Sequence, residues 1–222
     1  MIGKEIHDIV FRDTKDFYKS NSHEINVSRP IVRFIEQHAG KQILDFGCAI
    51  GNYSLHLSGK GYVTTGVDIN EQYVKIAQSR GVNALHITGK TPFADKSFDT
   101  VIILEVLEHL SDPDIVLQEA KRLAKNNVLI TTPNCNKIKE LRNVGLLFEH
   151  FADKDHRNFF TQETMHELLL KHFSSVKVIE GNPINPLGLF HSPLIRRLGK
   201  VLSYTKILPA QYSYRLFAVA QP

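Results

Sequence analysis

Short apolar runs alternate with amphipathic segments through most of the chain. Apolar runs that end at glycine, proline or polar residues predict seven strands, at 43–46, 62–67, 82–87, 98–104, 128–132, 176–179 and 212–220. Residues that typically begin helices, such as Ser28, Asn70 and the Ser111-Asp112-Pro113 tripeptide, precede the intervening segments. Strands and helices that alternate at this spacing form a parallel sheet with helices on both faces, so we predict a doubly wound α/β fold.

The chain is predicted to contain one domain with two appendages. Residues 28–222 form the domain, with a mostly parallel seven-stranded sheet whose last strand inserts antiparallel. Residues 1–27 are polar with scattered apolar positions and are predicted to form a leader or cap. A basic, proline-containing excursion at 182–211 precedes the last strand.

The composition is that of a globular protein, with 222 residues of which 42% are hydrophobic and 23% charged. No apolar run approaches the roughly 18 residues that a membrane-spanning helix needs. Acidic residues occupy the place where a signal peptide has its apolar run, so we expect a cytoplasmic protein. The two cysteines, Cys48 and Cys135, are too few for a disulfide framework and are expected to be small buried hydrophobic residues.

The turn after the first predicted strand carries the candidate chemistry. It reads Asp45-x-Gly47-x-Ala49-x-Gly51, which differs from the Gly-x-Gly-x-x-Gly turn of dinucleotide-binding proteins. An acid here attracts an ammonium group, and the free amide groups of the next helix favour an anion. Asp68, at the end of the second strand, is suited to accept hydrogen bonds from two vicinal hydroxyls. We therefore expect a ligand with ammonium, carboxylate and ribose groups; alternatively, the glycines form only a tight turn and Asp68 caps a helix.

Several motifs resemble those of the class I S-adenosylmethionine-dependent methyltransferases. They are ILDFGCAIGN at 43–52, Val67-Asp68, PFADKSFD at 92–99, EVLEHLSDP at 105–113 and HRNFFT at 156–161. The resemblance covers about residues 28–180 and is greatest to the small-molecule branch that includes the ubiquinone-biosynthesis O-methyltransferases. It implies a Rossmann-like methyltransferase fold, S-adenosyl-L-methionine as cofactor, and an enzyme that methylates a small-molecule acceptor on a hydroxyl oxygen.

The resemblance also implies a cofactor pocket. The predicted cofactor contacts are Asp45, Gly47, Ala49, Gly51, Asp68, Thr88 and Glu105. Ala49 stands where the family usually has a further glycine. Ile87-Thr88-Gly89-Lys90 occupies the place of an acid that usually holds the adenine amine, so either backbone groups hold the adenine or its affinity is reduced.

The segment Glu105-x-x-Glu108-His109 follows the fourth predicted strand, where a base for the acceptor hydroxyl is needed. A helical turn here would place these three side chains on one side. His109 is the predicted catalytic base and Glu108 the carboxylate that steers it. Alternatively, Glu105, Glu108 and His109 bind a divalent metal together with His156, or the group is structural.

Two other functions remain open from the sequence. One is a metal-assisted RNA 2′-O-methyltransferase, which the lack of an arginine-rich groove or a series of stacking aromatic residues disfavours. The other is a non-catalytic module that keeps the methyltransferase fold. No DNA partner is expected, and the protein is expected to be a monomer or a homodimer.

Positive charge is concentrated at the end of the chain. Residues 181–222 contain five Arg or Lys and no Asp or Glu, whereas the net charge of the whole chain is only +4. Within this tail, residues 194–202 have the periodicity of a basic amphipathic helix. Such a helix is suited to peripheral contact with lipid, and it equally suits a lid over the site or a contact between subunits.

Overall fold

Seven strands form one sheet in the computed structural model, which describes residues 24–136, 155–184, 192–204 and 212–222. The strands are β1 (Gln42–Phe46), β2 (Val63–Asp68), β3 (Ala84–His86), β4 (Phe98–Leu104), β5 (Ala124–Pro133), β6 (Ser175–Ile184) and β7 (Tyr212–Gln221). The helices in these ranges are α1 (Arg29–His38), α2 (Asn52–Gly59), α3 (Glu71–Ser79), α4 (Pro113–Leu123), α5 (Gln162–Leu170) and α6 (Pro193–Tyr204). Residues 1–23 of the predicted leader and parts of the 182–211 excursion lie outside the described residues. Among the helices above, none has both the length and the apolar character needed to cross a bilayer.

The strand order is β3-β2-β1-β4-β5-β7-β6. The first five strands run parallel, and β7 inserts antiparallel between β5 and β6. The predicted fold class, with its antiparallel last strand, is therefore confirmed. From β1 the chain moves outward to β2 and β3, then crosses back to β4 on the other side of β1. Ligands of such sheets bind at this reversal, beside the carboxyl ends of the strands.

The core lies on both faces of the sheet, as the alternation along β4 illustrates. Val101 and Ile103 pack on the face covered by α4 and α5, whereas Ile102 and Leu104 pack on the face covered by α1 and α2. Successive side chains of a strand point to opposite faces, so a strand covered on both sides must be apolar at nearly every position. This requirement explains why β4 is the most apolar run in the chain.

The predicted helix starts are found in the structure. The Asn70 side chain accepts hydrogen bonds from the first turn of α3, and the Asp112 side chain does the same for α4. Thr161 and Thr164 form a reciprocal capping box at the start of α5. Each of these side chains satisfies amide groups that the helix itself leaves without partners.

Two strands are longer than their apolar runs predict. β5 begins at Ala124, immediately after α4, and β6 continues through Pro183 to Ile184. β6 is the outermost strand and pairs only with β7 along the described sheet, so proline can lie in it without removing a needed hydrogen-bond donor. The strand thus extends into the segment that the prolines predict to be irregular.

Both cysteines are buried and unlinked, as predicted. Burial raises the pKa of the Cys48 thiol, and it raises that of Cys135 to about 11. Because the thiolate is the reactive form, both residues act here as small core side chains.

Candidate active site

The glycine-rich turn between β1 and α2 lies at the reversal of strand order. The amides of Gly47 and Cys48 both donate to the Val67 carbonyl, at 2.8 and 3.0 Å, which holds the turn over the end of β2. Gly47, Ala49 and Gly51 have left-handed backbone conformations, with φ of 82°, 45° and 79°. Three such residues in five positions bend the main chain sharply, and glycine reduces the steric cost at two of them.

Asp68 joins this turn to the second strand. Its Oδ2 accepts a hydrogen bond of 2.8 Å from the Ala49 amide, and its Oδ1 accepts one of 2.8 Å from the Asn70 amide. Each carboxylate oxygen has a further lone pair, so both can still accept from ligand hydroxyls. Burial raises the pKa of Asp68, and the bonds from Asn70 and Ala49 oppose that effect.

Asp45 lies below the turn and is only 3% exposed. Its Oδ2 accepts a 2.8 Å hydrogen bond from the Ser54 hydroxyl of α2. Burial raises the pKa of Asp45 to about 6, the Ser54 bond lowers it, and the negative charge of Asp68 raises it further. A buried acid whose ionisation is disfavoured by burial and by a second acid attracts a cation strongly.

Glu105, a predicted cofactor contact and weak metal candidate, forms an ion pair that the sequence did not indicate. Its two carboxylate oxygens accept from Nε and Nη2 of Arg215 on β7, both at 3.0 Å. Burial alone would lower the pKa of Arg215, but the Glu105 carboxylate outweighs it and raises that pKa. Glu105 itself has a φ of 54° and lies before the 3-10 turn Leu107–His109, so it does not share a helical face with its neighbours.

The ion pair connects to the start of α1 and to α2. The Nη1 atom of Arg215 lies 3.4 Å from the Ser28 hydroxyl, and the Ser28 amide donates to the Tyr53 hydroxyl at 3.2 Å. Burial raises the pKa of Tyr53 to about 12, and the charges of Arg215, Glu105 and Asp45 also act on it. The Tyr53 hydroxyl therefore lies within the field of both the ion pair and the acid of β1.

Glu108, His109 and His156 form an acid–histidine cluster beyond β4. One potential ligand atom from each lies within 4.8 Å of the other two, and the two imidazole rings are 4.6 Å apart, edge to face. Glu108 is 1% exposed, while both histidines are partly exposed. The structure thus brings together three of the four residues proposed as metal candidates and separates Glu105 from them.

Main-chain bonds hold His156 in this position. The amides of Arg157 and Asn158 donate to the Glu108 carbonyl, at 2.7 and 3.0 Å. The Asn158 side chain donates to the carbonyls of Leu107 and Leu110. The HRNFFT motif therefore supports the 3-10 turn from a distance of about fifty residues in sequence.

Thr88, another predicted cofactor contact, lies two residues beyond the end of β3. It follows β3, where His86 is the register partner of Asp68, and its side chain is exposed. The residues that the sequence analysis missed are Ser54, Tyr53, Ser28, Asn158 and Arg215. For Arg215 a signal existed, because an arginine in an otherwise apolar strand requires a buried partner.

Comparison with known proteins shows the family of this chain. A family profile described as a methyltransferase domain matches residues 21–172. Curated relatives include ubiquinone biosynthesis O-methyltransferases from Stutzerimonas stutzeri, 33% identical over 127 residues, and Idiomarina loihiensis, 35% identical over 129 residues. These matches cover 51% of this chain and 54% and 52% of the relatives, so the chain spans about half their length.

Solved structures share the fold over nearly the whole chain. A S-adenosylmethionine-dependent methyltransferase from Archaeoglobus fulgidus has a TM-score of 0.64 at 20% identity, with 99% of both chains covered. The magnesium protoporphyrin IX methyltransferase of Synechocystis, solved with bound S-adenosylhomocysteine, has a TM-score of 0.62 at 15% identity and covers 99% of this chain and 100% of its own. The chain therefore belongs to the methyltransferase-domain family, and the predicted class I S-adenosylmethionine-dependent methyltransferase is confirmed. S-Adenosylmethionine is the cofactor of this class.

The residues present fit that cofactor. A Cβ at Gly47 would meet the Val106 side chain at 2.6 Å, so glycine here lets the turn pack against the segment that follows β4. The acids Asp45 and Asp68 suit an ammonium group and vicinal hydroxyls, and the first amides of α2 suit a carboxylate. A sulfonium nucleoside carries all of these groups.

We predict that Gly47→Ala destabilises the protein by about 2–4 kcal/mol, because the new methyl group meets Val106 and the residue must keep a positive φ. Gly59→Ala is the matched control, since a Cβ there meets nothing within 4 Å, and its effect should stay within about 1 kcal/mol. Urea unfolding of both variants measures the difference. Equal midpoints would show that the turn relaxes freely.

Asp45→Asn should stabilise the protein at neutral pH. The folded-state pKa of Asp45 lies above its ordinary value, so wild-type stability falls as pH rises from about 4 to about 6 and then levels off. The asparagine variant lacks this loss, so its advantage should grow from near zero at pH 4 to about 2–3 kcal/mol at pH 7. Thermal unfolding across this range tests the prediction, and a constant difference between the two proteins would contradict it.

Proposed function

We propose that this protein transfers the methyl group of S-adenosylmethionine to a hydroxyl oxygen of a small-molecule acceptor. The observation that carries the proposal is the acid–histidine cluster beyond β4. This cluster lies next to the turn after β1 that Asp45 and Asp68 flank, which we call the two-acid turn. The O-methyltransferase names of the curated relatives, which match about half of this chain, support an oxygen acceptor.

The turn residues bind and orient the cofactor, which supplies an electrophilic methyl group on a sulfonium centre. Asp45 neutralises the ammonium group from below the turn, and Asp68 accepts from the ribose hydroxyls. Gly47, Ala49 and Gly51 bring the main chain close to the ligand, and Thr88 borders the adenine side. Glu105, held by Arg215, shapes the wall between the cofactor and the acceptor.

The acid–histidine cluster handles the proton of the acceptor. His109 accepts the hydroxyl proton while Glu108, buried beside it, orients the imidazole and stabilises its charged form. His156 completes the third side of the cluster. The same carboxylate and two imidazoles also suit a divalent cation, which would lower the pKa of the hydroxyl instead.

A small-molecule acceptor fits these surroundings better than RNA does. Residues 181–222 carry a charge of +5, and the whole chain has a net charge of +4. The other residues therefore sum to about −1 and are close to neutral. RNA-binding surfaces combine basic residues with aromatic rings that stack on bases. A metal-assisted RNA methyltransferase is therefore the second candidate, supported by the acid–histidine cluster alone.

Methyl transfer from labelled S-adenosylmethionine tests the proposal directly. The acceptors to compare are a phenol, an aliphatic alcohol, a carboxylic acid, an amine and a short single-stranded RNA. We expect label on a hydroxyl oxygen of a small molecule. Label found on RNA alone would establish the second candidate, and cofactor binding in calorimetry with no transfer to any acceptor would favour a non-catalytic module.

His109→Ala should lower turnover by at least a hundredfold while changing cofactor affinity little, because general bases contribute about 10²–10⁴ in rate. His38→Ala is the control, because His38 is an exposed histidine at the end of α1 whose carbonyl accepts from the Asn127 side chain near the start of β5, at the opposite end of the sheet. Assays with and without a chelator separate the two roles. Activity that survives chelation assigns the base role, activity restored only by divalent cations assigns the metal role, and unchanged turnover in His109→Ala contradicts both.

A further inference from the structure

Helix α6 exposes apolar side chains to solvent. Leu194, Leu198 and Val201 are 76%, 54% and 54% exposed. Their spacing of four and three residues places them in one row along the helix. Gly199 is buried and lies outside this row. No described strand or helix packs extensively against it.

Exposed apolar side chains are concentrated on α6. Of the eleven large hydrophobic side chains that are exposed in the described residues, four lie on this helix of twelve residues, with Ile195 as the fourth. Single exposed apolar residues are normal, but a contiguous row marks a surface that binds something apolar.

The charge around the row has one sign. Arg196, Arg197 and Lys200 lie on α6 itself, and Lys206 follows it. The Arg197 side chain is exposed beside the row. No Asp or Glu occurs anywhere in residues 181–222. A partner that covers α6 must therefore be apolar in its interior and negative at its surface.

The helix also emerges at the edge of the sheet that carries the site. β6 ends at Ile184, which pairs with Tyr212 at the start of β7, so the connection that holds α6 leaves and returns at that point. Arg215, three residues further along β7, pairs in register with Pro133 and binds the Glu105 carboxylate. The α6 connection and the two-acid turn thus lie at the same end of the sheet.

We propose that α6 is a membrane-docking helix that binds the surface of an anionic lipid bilayer. Leu194, Leu198 and Val201 insert at the boundary of the acyl chains, and the basic residues bind the lipid phosphates. Docking in this way turns the carboxyl-end edge of the sheet towards the lipid surface. This inference does not depend on the identity of the acceptor.

Other occupants fit the helix less well. In a symmetric dimer through α6, the basic residues of one copy would meet those of the other, and the segment has no acid to compensate them. Single-stranded RNA would satisfy the charge, but leucine and valine offer no aromatic face on which bases stack. An anionic bilayer satisfies the apolar row and the charge together.

Co-sedimentation of the full chain with vesicles tests the proposal. The vesicles are pure phosphatidylcholine or an equal mixture of phosphatidylcholine and phosphatidylserine, at low and physiological salt. We expect binding to the anionic vesicles only, weakened by salt. Arg196→Gln, Arg197→Gln and Lys200→Gln combined should reduce the affinity by about 100-fold, because each basic residue near an anionic surface contributes about fivefold.

The apolar row is tested by Leu198→Glu combined with Val201→Glu, which should abolish sedimentation with vesicles. Leu170→Glu on α5 is the matched control, since Leu170 is exposed to a similar degree, 50%, and should bind as the wild type does. Titration of each variant with S-adenosylmethionine shows separately whether the methyltransferase site is still intact.

Several results would overturn the proposal. Absence of binding to anionic vesicles at low salt would do so, as would equal loss of binding in Leu170→Glu. A dimer in sedimentation velocity that Leu198→Glu dissociates, without vesicle binding, would assign α6 to a subunit interface. Retention of RNA with no vesicle binding would assign it to nucleic acid.

Discussion

The hydrogen bond from the Ala49 amide to the Asp68 carboxylate is the interaction on which the shape of the site depends. It joins the turn after β1 to the end of β2, and the two amides that donate to Val67 reinforce it from the same side. Left-handed backbone at Ala49 costs about 1–2 kcal/mol, which these bonds offset. The Asp68 bond thus holds an alanine in a conformation that glycine adopts easily.

The two acids proposed to bind the cofactor make the site electrostatically unfavourable. Burial raises the pKa of both Asp45 and Asp68, and the negative charge of Asp68 raises the pKa of Asp45 further. In the proposed complex, the positive charge of the ammonium group would favour the ionised form of both acids and so offset this cost. Local instability at a binding site is a common cost of function, and here its source is two named carboxylates.

Two glutamates that lie three residues apart have different surroundings. Glu105 binds Arg215 of the last strand and so ties β4 to β7, while Glu108 joins the two histidines. Their separation follows from the positive φ at Glu105, which turns the chain out of the strand before the 3-10 turn begins. An ion pair between residues 110 positions apart also anchors the strand that follows the α6 connection. The ion pair therefore joins the strand that follows α6 in sequence to the segment that follows β4.

The alternation of apolar runs and helix caps was sufficient to predict the seven strands, their doubly wound arrangement and the antiparallel last strand, because periodicity and capping act over a few residues. Asp45, the glycines and Asp68 were also evident, since each follows directly from a strand end. Only the tertiary structure revealed that Ser54 binds Asp45, and that Arg215 binds Glu105 and separates it from Glu108, His109 and His156, with which the sequence had grouped it as a metal candidate. These contacts join residues distant in sequence, and their geometry depends on the register of the sheet and on one left-handed residue, which no local pattern specifies.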